Sequence, residues 1–343
     1  MKVRMNIRFS CRIAFVAAGA IFTTALDCYP TEVANDVGSA APAWAYPVSA
    51  PAAPPSKPML EQEVHVPNSK LALTRAQTMD RFAPPDWHPD EHPPMPDVVG
   101  RGSSPKVYAC AYCHLPNGAG RSENSSLAGL PAAYIAQQVL DMKKGVRKSS
   151  SPKMVEAMTY EANVTSEADV NSAADYFSKL VPRSGWIRVV ETGIVPKTQV
   201  IPVNVLVPRK GVGTEPIGDR IIEVPLNPDL TNLRDSKSGY IAYVPRGSLS
   251  RGGELVNHGG AGKTVVCASC HGDGLRGAGN IPPLAGRSPS YIFRQLYDIK
   301  AGTRMGEATA LMKAPVKNLT ENDMVSIAAY VASLGQSTSK SRQ

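Results

Sequence analysis

The strongest constraint on this chain is a five-residue stretch that occurs twice. Cys110-Ala111-Tyr112-Cys113-His114 is answered by Cys267-Ala268-Ser269-Cys270-His271, at an offset of 157 residues. The same offset relates Leu127-Ala128-Gly129 to Leu284-Ala285-Gly286 and Tyr134-Ile135 to Tyr291-Ile292. It also relates Gln138, Asp141, Lys143, Gly145 and Arg147 to Gln295, Asp298, Lys300, Gly302 and Arg304. Self-similarity of this kind marks a duplicated module. Cys-x-x-Cys-His is the attachment sequence of a c-type haem: the thiols form thioethers to the porphyrin, and the histidine is the proximal iron ligand. A redox dithiol or half a zinc site are the bland readings. Zinc needs further Cys or His ligands in tetrahedral array. The repeated flanks favour two covalently attached haems.

Length and charge narrow the class. The 343 residues suffice for two domains and a margin. The formal charge is +8, but Lys2, Arg4, Arg8 and Arg12 sit in the first twelve residues. Those twelve precede a largely apolar run over 13–26, the plan of a secretory signal peptide, here 1–25. The run is too short for an ordinary membrane span. An uncleaved anchor, or a lipid on Cys28, is the alternative; Asp27 is bulky and charged where a lipoprotein signal wants a small residue. No transmembrane span is expected in the mature protein, while peripheral membrane association stays open. Each haem adds two propionates, and no basic stripe interleaved with aromatics occurs, so no nucleic-acid partner is expected. Four of six cysteines serve haem, Cys11 lies in the leader, and Cys28 has no evident partner.

Residues 26–96 read as an irregular Pro-rich arm lying on the first haem domain, in which Trp87 packs. Its closely spaced prolines exclude a helix, so His88 and His92 lose the meaning of a metal pair. The first haem domain is expected over 97–180. Val107–His114 would form the motif helix, Pro131 to Lys144 a second and Ser166 to Leu180 a third. Residues 181–246 are β-prone but cut by prolines. They read as an extended segment crossing both domains rather than an independent sandwich. The second haem domain follows over 247–335, with a polar tail at 336–343.

On these residues the chain resembles the class I cytochromes c, most of all duplicated dihaem forms of the cytochrome c4 type. The likeness covers roughly 97–180 and 247–335. It implies an all-α fold of two tandem class I cytochrome c domains, flanked by the Pro-rich N-terminal arm and the interdomain segment. It also implies haem attachment outside the cytoplasmic membrane, hence the periplasm. Members of the class carry single electrons, alone or as the cytochrome subunit of a dehydrogenase, so the partner is a redox protein or dehydrogenase. A proline carbonyl that accepts the proximal imidazole N–H is a family feature. Pro283 fits after His271, and its counterpart after His114 is Ser126.

The resemblance further implies a methionine as sixth ligand, because soft thioether sulfur favours reduced iron. Met312 is the candidate in the second domain, with Met305 too early. In the first domain the counts from Arg147 and from Thr165 choose different residues, Met154 and Met158. Met158, just before the last helix, is preferred. The cofactor-binding set is thus Cys110, Cys113, His114, Met158, Cys267, Cys270, His271 and Met312, with His114, Met158, His271 and Met312 on iron. No residue is assigned a catalytic role. A basic cluster of Lys143, Lys144, Arg147, Lys148 and Lys153 would steer an acidic partner. The enzymatic alternative is a dihaem peroxidase or sulfur-compound oxidoreductase, which needs an open or displaceable distal position; two Met ligands argue against it.

Overall fold

The computed structural model describes residues 9–13, 26–30 and 41–335. Phe9–Ile13 and Leu26–Pro30 pair antiparallel, a register that sets Cys11 opposite Cys28. They belong to a separate unit, residues 1–40, and the proposed leader otherwise lies outside the described residues.

The described residues 41–335 form one compact unit rather than two tandem domains, and its architecture is mixed α/β rather than all-α. The correction comes from the stretch between the copies. Ile222–Pro225 pairs antiparallel with Tyr240–Val244, and Tyr240–Val244 pairs parallel with Ile187–Glu191. Ile194–Pro196 pairs with Thr214–Pro216, and Thr198–Ile201 with Val205–Pro208, as antiparallel ribbons. Prolines 196, 208, 216 and 225 end strands that all lie at a sheet edge, where a residue without an N–H is tolerated. The strands are few and short, as the sequence suggests. They become a sheet because helices cover it. Ile187, Tyr240, Ala242 and Val244 share one buried core with Val256, Phe293, Val325 and Ala329 of the second copy.

Each copy contributes helices for identifiable reasons. In the first, Ala132–Lys143 follows Pro131 and ends before Gly145, whose φ of 67° suits only glycine well. Glu167–Lys179 starts at Ser166, whose side chain accepts from Asp169 N. Between them lies a helix the sequence reading missed, Pro152–Val164, opened by proline in its first turn. In the second copy, Pro289–Lys300 begins after Ser288, and Thr320 and Asp323 form a reciprocal capping box before Glu321–Ser333. Helix Ser248–His258 crosses Glu321–Ser333 so closely that a Cβ on Gly252 would lie 2.0 Å from Ser326 O.

Three further segments close the unit. Glu223, fully buried in the sheet, accepts from Ser288 Oγ (2.7 Å) and Ser290 N (3.1 Å) at the start of Pro289–Lys300, tying sheet to helix. The arm divides its attachment. Arg81 and Phe82 lie beside the first motif, with Ala109 N donating to Arg81 O at 2.9 Å and Phe82 edge-on to Tyr108, and His92 lies edge-on to Tyr176 of the first copy. Residues 44–46, against expectation, reach the second copy: Trp44 packs on Phe293 (4.5 Å) and Tyr46 Oη donates to Asp298 Oδ1 (2.8 Å). Trp87 is buried and donates to Leu233 O, so it packs on the stretch between the copies.

Candidate haem sites

The two motifs fold alike. Each is one helical turn, Cys110–His114 and Ala268–His271 with Cys267 as its cap. The first is shorter than the Val107–His114 helix expected, because Val107 pairs with Ser103 in a bridge and Ala109 N is taken by Arg81 O. Helical spacing puts both cysteines and the histidine of each motif along one side of the turn. His114 Nδ1 bonds Ser125 O at 2.9 Å, and His271 Nδ1 bonds Pro282 O at 2.9 Å. Both acceptors lie eleven residues past the histidine, one earlier than the Ser126 and Pro283 anticipated. Ser126 O and Pro283 O are instead occupied by Arg287, through Nη1 (2.7 Å) and Nε (2.9 Å). With Nδ1 committed, Nε2 is the ring nitrogen left for a metal. Burial lowers the pKa of both histidines, which keeps the imidazoles neutral, the form that ligates.

Each motif lines a cleft. The first encloses about 1340 Å³ of empty space, partly open to solvent, and the second about 1520 Å³. Cys110, Cys113 and His114 line the first together with Met154 and Met158. These methionines are four apart on Pro152–Val164, so a helix presents both on one face. Met154 also packs against the second copy's core, which Met158 does not. Cys267, Cys270, His271 and Met312 line the second cleft. Met305 is 47 % exposed and lies outside it. Burial raises the Cys110 thiol to about 12 and the Cys267 thiol to about 11, and Cys113 also titrates high, with Arg234 and Arg121 acting against the burial. A tethered macrocycle fits this donor set: two thiols and an imidazole on one wall, a thioether on the same cleft, and apolar side chains such as Ile135, Val139, Leu296 and Ile299 between.

The repeated Tyr, Gln and Arg turn out to bind each other's copy. Arg147 donates to Tyr291 Oη (3.1 Å) and Gln295 Oε1 (3.4 Å). Arg304 donates across to Tyr134 Oη (3.0 Å) and Gln138 Oε1 (2.8 Å), and within its own copy to Gln295 Oε1 (2.9 Å). The main chain repeats the exchange: Arg147 and Arg304 form an antiparallel bridge, with Met305 N donating to Val146 O at 2.7 Å and Lys148 N to Thr303 O at 2.9 Å. Tyr291 and Gln295 consequently line both clefts. Burial raises the Tyr291 pKa, but the Arg147 and Arg304 cations outweigh it and the net shift is downward. Arg147 therefore belongs to this seam and not to the basic surface cluster; Lys143, Lys144, Lys148 and Lys153 are the exposed members.

Sequence reasoning missed the buried cations. Arg287 and Arg294 stand at positions occupied in the first copy by Leu130 and Gln137, so the repeat gave no signal. Arg294 donates to Ala45 O and Ser122 O, and Arg287 to carbonyls of both copies. His88 and His92 serve as partners of Asp235 and Asp86, each at 3.0 Å. Among the described residues no group of three or more His, Cys, Asp or Glu could hold a bare metal ion, and no helix is long and apolar enough to cross a membrane.

Fold and site together define a protein built to hold c-type haem. The family model for Cytochrome c matches residues 260–335. Cytochrome c-554(547) of Halothiobacillus neapolitanus is 36% identical over 85 residues, 22% of this chain and 93% of that protein. The chain belongs to the cytochrome c family. It is also similar to the thiosulfate dehydrogenase electron acceptor of Thiomonas intermedia (strain K12), 26% identical over 242 residues, 69% of this chain and 83% of that protein. Cytochrome c4 of Azotobacter vinelandii is 40% identical over 81 residues; this chain spans 39% of its length, and the match takes in 22% of this chain.

Proposed function

We propose that the protein is an exported dihaem cytochrome that accepts and passes on single electrons, as the electron-accepting subunit of a dehydrogenase, with no catalysis of its own. One observation carries the reading: both motif helices hold their histidine by the same Nδ1 bond, eleven residues on, in clefts that also contain methionine. Haem, when bound, supplies an iron that changes by one electron. His114 and His271, with Met158 and Met312 on the same clefts, would hold the two irons, and the thioether sulfurs would favour the reduced state. Met158 is preferred over Met154 because, of the two methionines on the first cleft, it lies nearer the last helix, Glu167–Lys179. The similarity to a thiosulfate dehydrogenase electron acceptor supports a dehydrogenase of that kind as donor, and the likeness to cytochrome c4 supports the dihaem form. The basic, then apolar, N-terminus supports export to the periplasm with removal of 1–25.

Intact mass of the protein recovered from a periplasmic fraction tests export and stoichiometry: two added haems and a lost leader are expected. Oxidised and reduced spectra test the role. Two low-spin haems with the weak far-red sulfur-to-iron band are expected. High-spin haem that turns over peroxide would replace the carrier with an enzyme. Met158→Ala is expected to remove the first haem's share of that band, and Met154→Ala to leave it; the reverse result reassigns the ligand.

A further inference from the structure

Arg234 comes from the stretch between the two copies, 122 residues from the motif it touches. Its guanidinium centre sits 3.5 Å from the centroid of the Tyr112 ring. Tyr112 is the residue between the haem-tethering cysteines Cys110 and Cys113. The same guanidinium donates to Tyr112 O and, through Nε, to Thr78 O at 3.3 Å. Arg234 is 5 % exposed, and its backbone is left-handed, with φ of 60°. A non-glycine residue held in that region is an observed strain, of the kind that collects at functional sites.

The charge is not cancelled locally. Glu123, whose field Arg234 senses, is already paired with Arg121 at 2.6 Å. Burial lowers Arg234 to about 10, with Arg121 adding to the shift, so it stays protonated at neutral pH. The second motif has no equivalent. Ser269 stands where Tyr112 does, is exposed, and donates to Val266 O at 2.6 Å.

We propose that Arg234 is a positioning residue for the first haem, holding the Tyr112 turn of the motif and raising that haem's reduction potential through its buried charge. The inference rests on the dihaem carrier reading above. Oxidised iron carries one more positive charge than reduced iron. A fixed cation close by, in a low-dielectric setting, therefore disfavours the oxidised state. Cation–π stacking on Tyr112 and the bond to its carbonyl fix the distance over which this field acts.

The test is a spectroelectrochemical titration of the full-length holoprotein, wild type against Arg234→Met and Arg234→Lys. The first haem's wave is identified as the one that also responds to Met158→Ala or Met154→Ala. In Arg234→Met that wave is expected to move to lower potential by about tenfold in its oxidation equilibrium, which is ~59 mV for one electron. The second wave is expected to stay, and Arg234→Lys to retain most of the wild-type value. Should Arg234→Met fail to mature, Arg234→Gln carries the same comparison. The proposal is overturned if the first wave does not fall, if both waves fall alike, or if the Lys variant falls as far as the uncharged one. Failure of the carrier reading looks different: the wild type itself would then lack two reversible low-spin haems.

Discussion

The two motif regions share a plan and differ in what surrounds it. Inside, they match: the same turn of helix, the same Nδ1 bond, the same Tyr, Gln, Asp and Arg facing the seam. Outside, they diverge. The second region rests on the tight crossing of Ser248–His258 with Glu321–Ser333 and on the sheet behind it. The first has only Asp97–Gly100 at the corresponding place and is held instead by residues from elsewhere, Arg81 from the arm and Arg234 from the stretch between. Its cleft also contains carboxylates, Glu123, Glu161, Asp169 and Asp298, whereas the second cleft is lined by none. A duplicated module thus keeps the positions that meet its twin and is free to change the rest.

The largest effect should come from the seam. Arg304→Met removes three hydrogen bonds and leaves Gln138 and Tyr134 short of a partner, so a loss of about 3 kcal/mol is expected. Arg147→Met removes two longer bonds and should cost less. Denaturant unfolding of both variants would show this, and equal losses would mean that the seam is more symmetric than its distances.

Next comes the outer shell. Gly252→Ala places a methyl 2.0 Å from Ser326 O, against backbone that cannot swing aside. About 2 kcal/mol of overpacking is expected, read as a fall in Tm. A neutral result would separate the helix crossing from the second region's stability.

Asp323 gives a smaller effect with a pH signature. Burial raises its pKa, but Thr320 N–H, Arg251, Lys263 and the Thr320 hydroxyl outweigh that and hold it well below the usual carboxylate range. A depressed carboxylate stabilises above its unfolded pKa, about 3.9, and the contribution is lost as pH falls further. Asp323→Asn should therefore cost about 1–2 kcal/mol at pH 7. The gap to wild type should close progressively below about pH 4. A pH-independent gap in parallel thermal melts would rule out the charge as its origin.

The smallest change is expected at Met305, which is outside the cleft and half exposed. Met305→Ala should alter stability by less than about 0.5 kcal/mol and leave the far-red band untouched. Loss of that band would instead put Met305, not Met312, on the iron.

Much of the site was legible in the amino-acid order because attachment chemistry is local. Two thiols and an imidazole must lie within one helical turn, so Cys110, Cys113 and His114, and their repeats, can be read directly. The helices around them were also readable, from Pro131, Gly145, Ser166, Pro289 and Thr320, since caps and breakers act over three or four residues. Pro152–Val164 escaped because its N-cap makes no side-chain bond, so beyond its proline no local signal marks its start.

Only the tertiary structure decided the rest. Short strands cut by prolines have no stability alone, and Ile187, Tyr240, Ala242 and Val244 became a sheet because helices of the second copy bury them. The repeat displayed Arg147 and Arg304 but not that each would cross to the other copy's Tyr and Gln. Arg234 carried no sequence signal at all. Local order fixes which chemistry a turn of chain can perform. Which distant charge sits beside it depends on burial and packing between segments more than a hundred residues apart, and no local pattern records that.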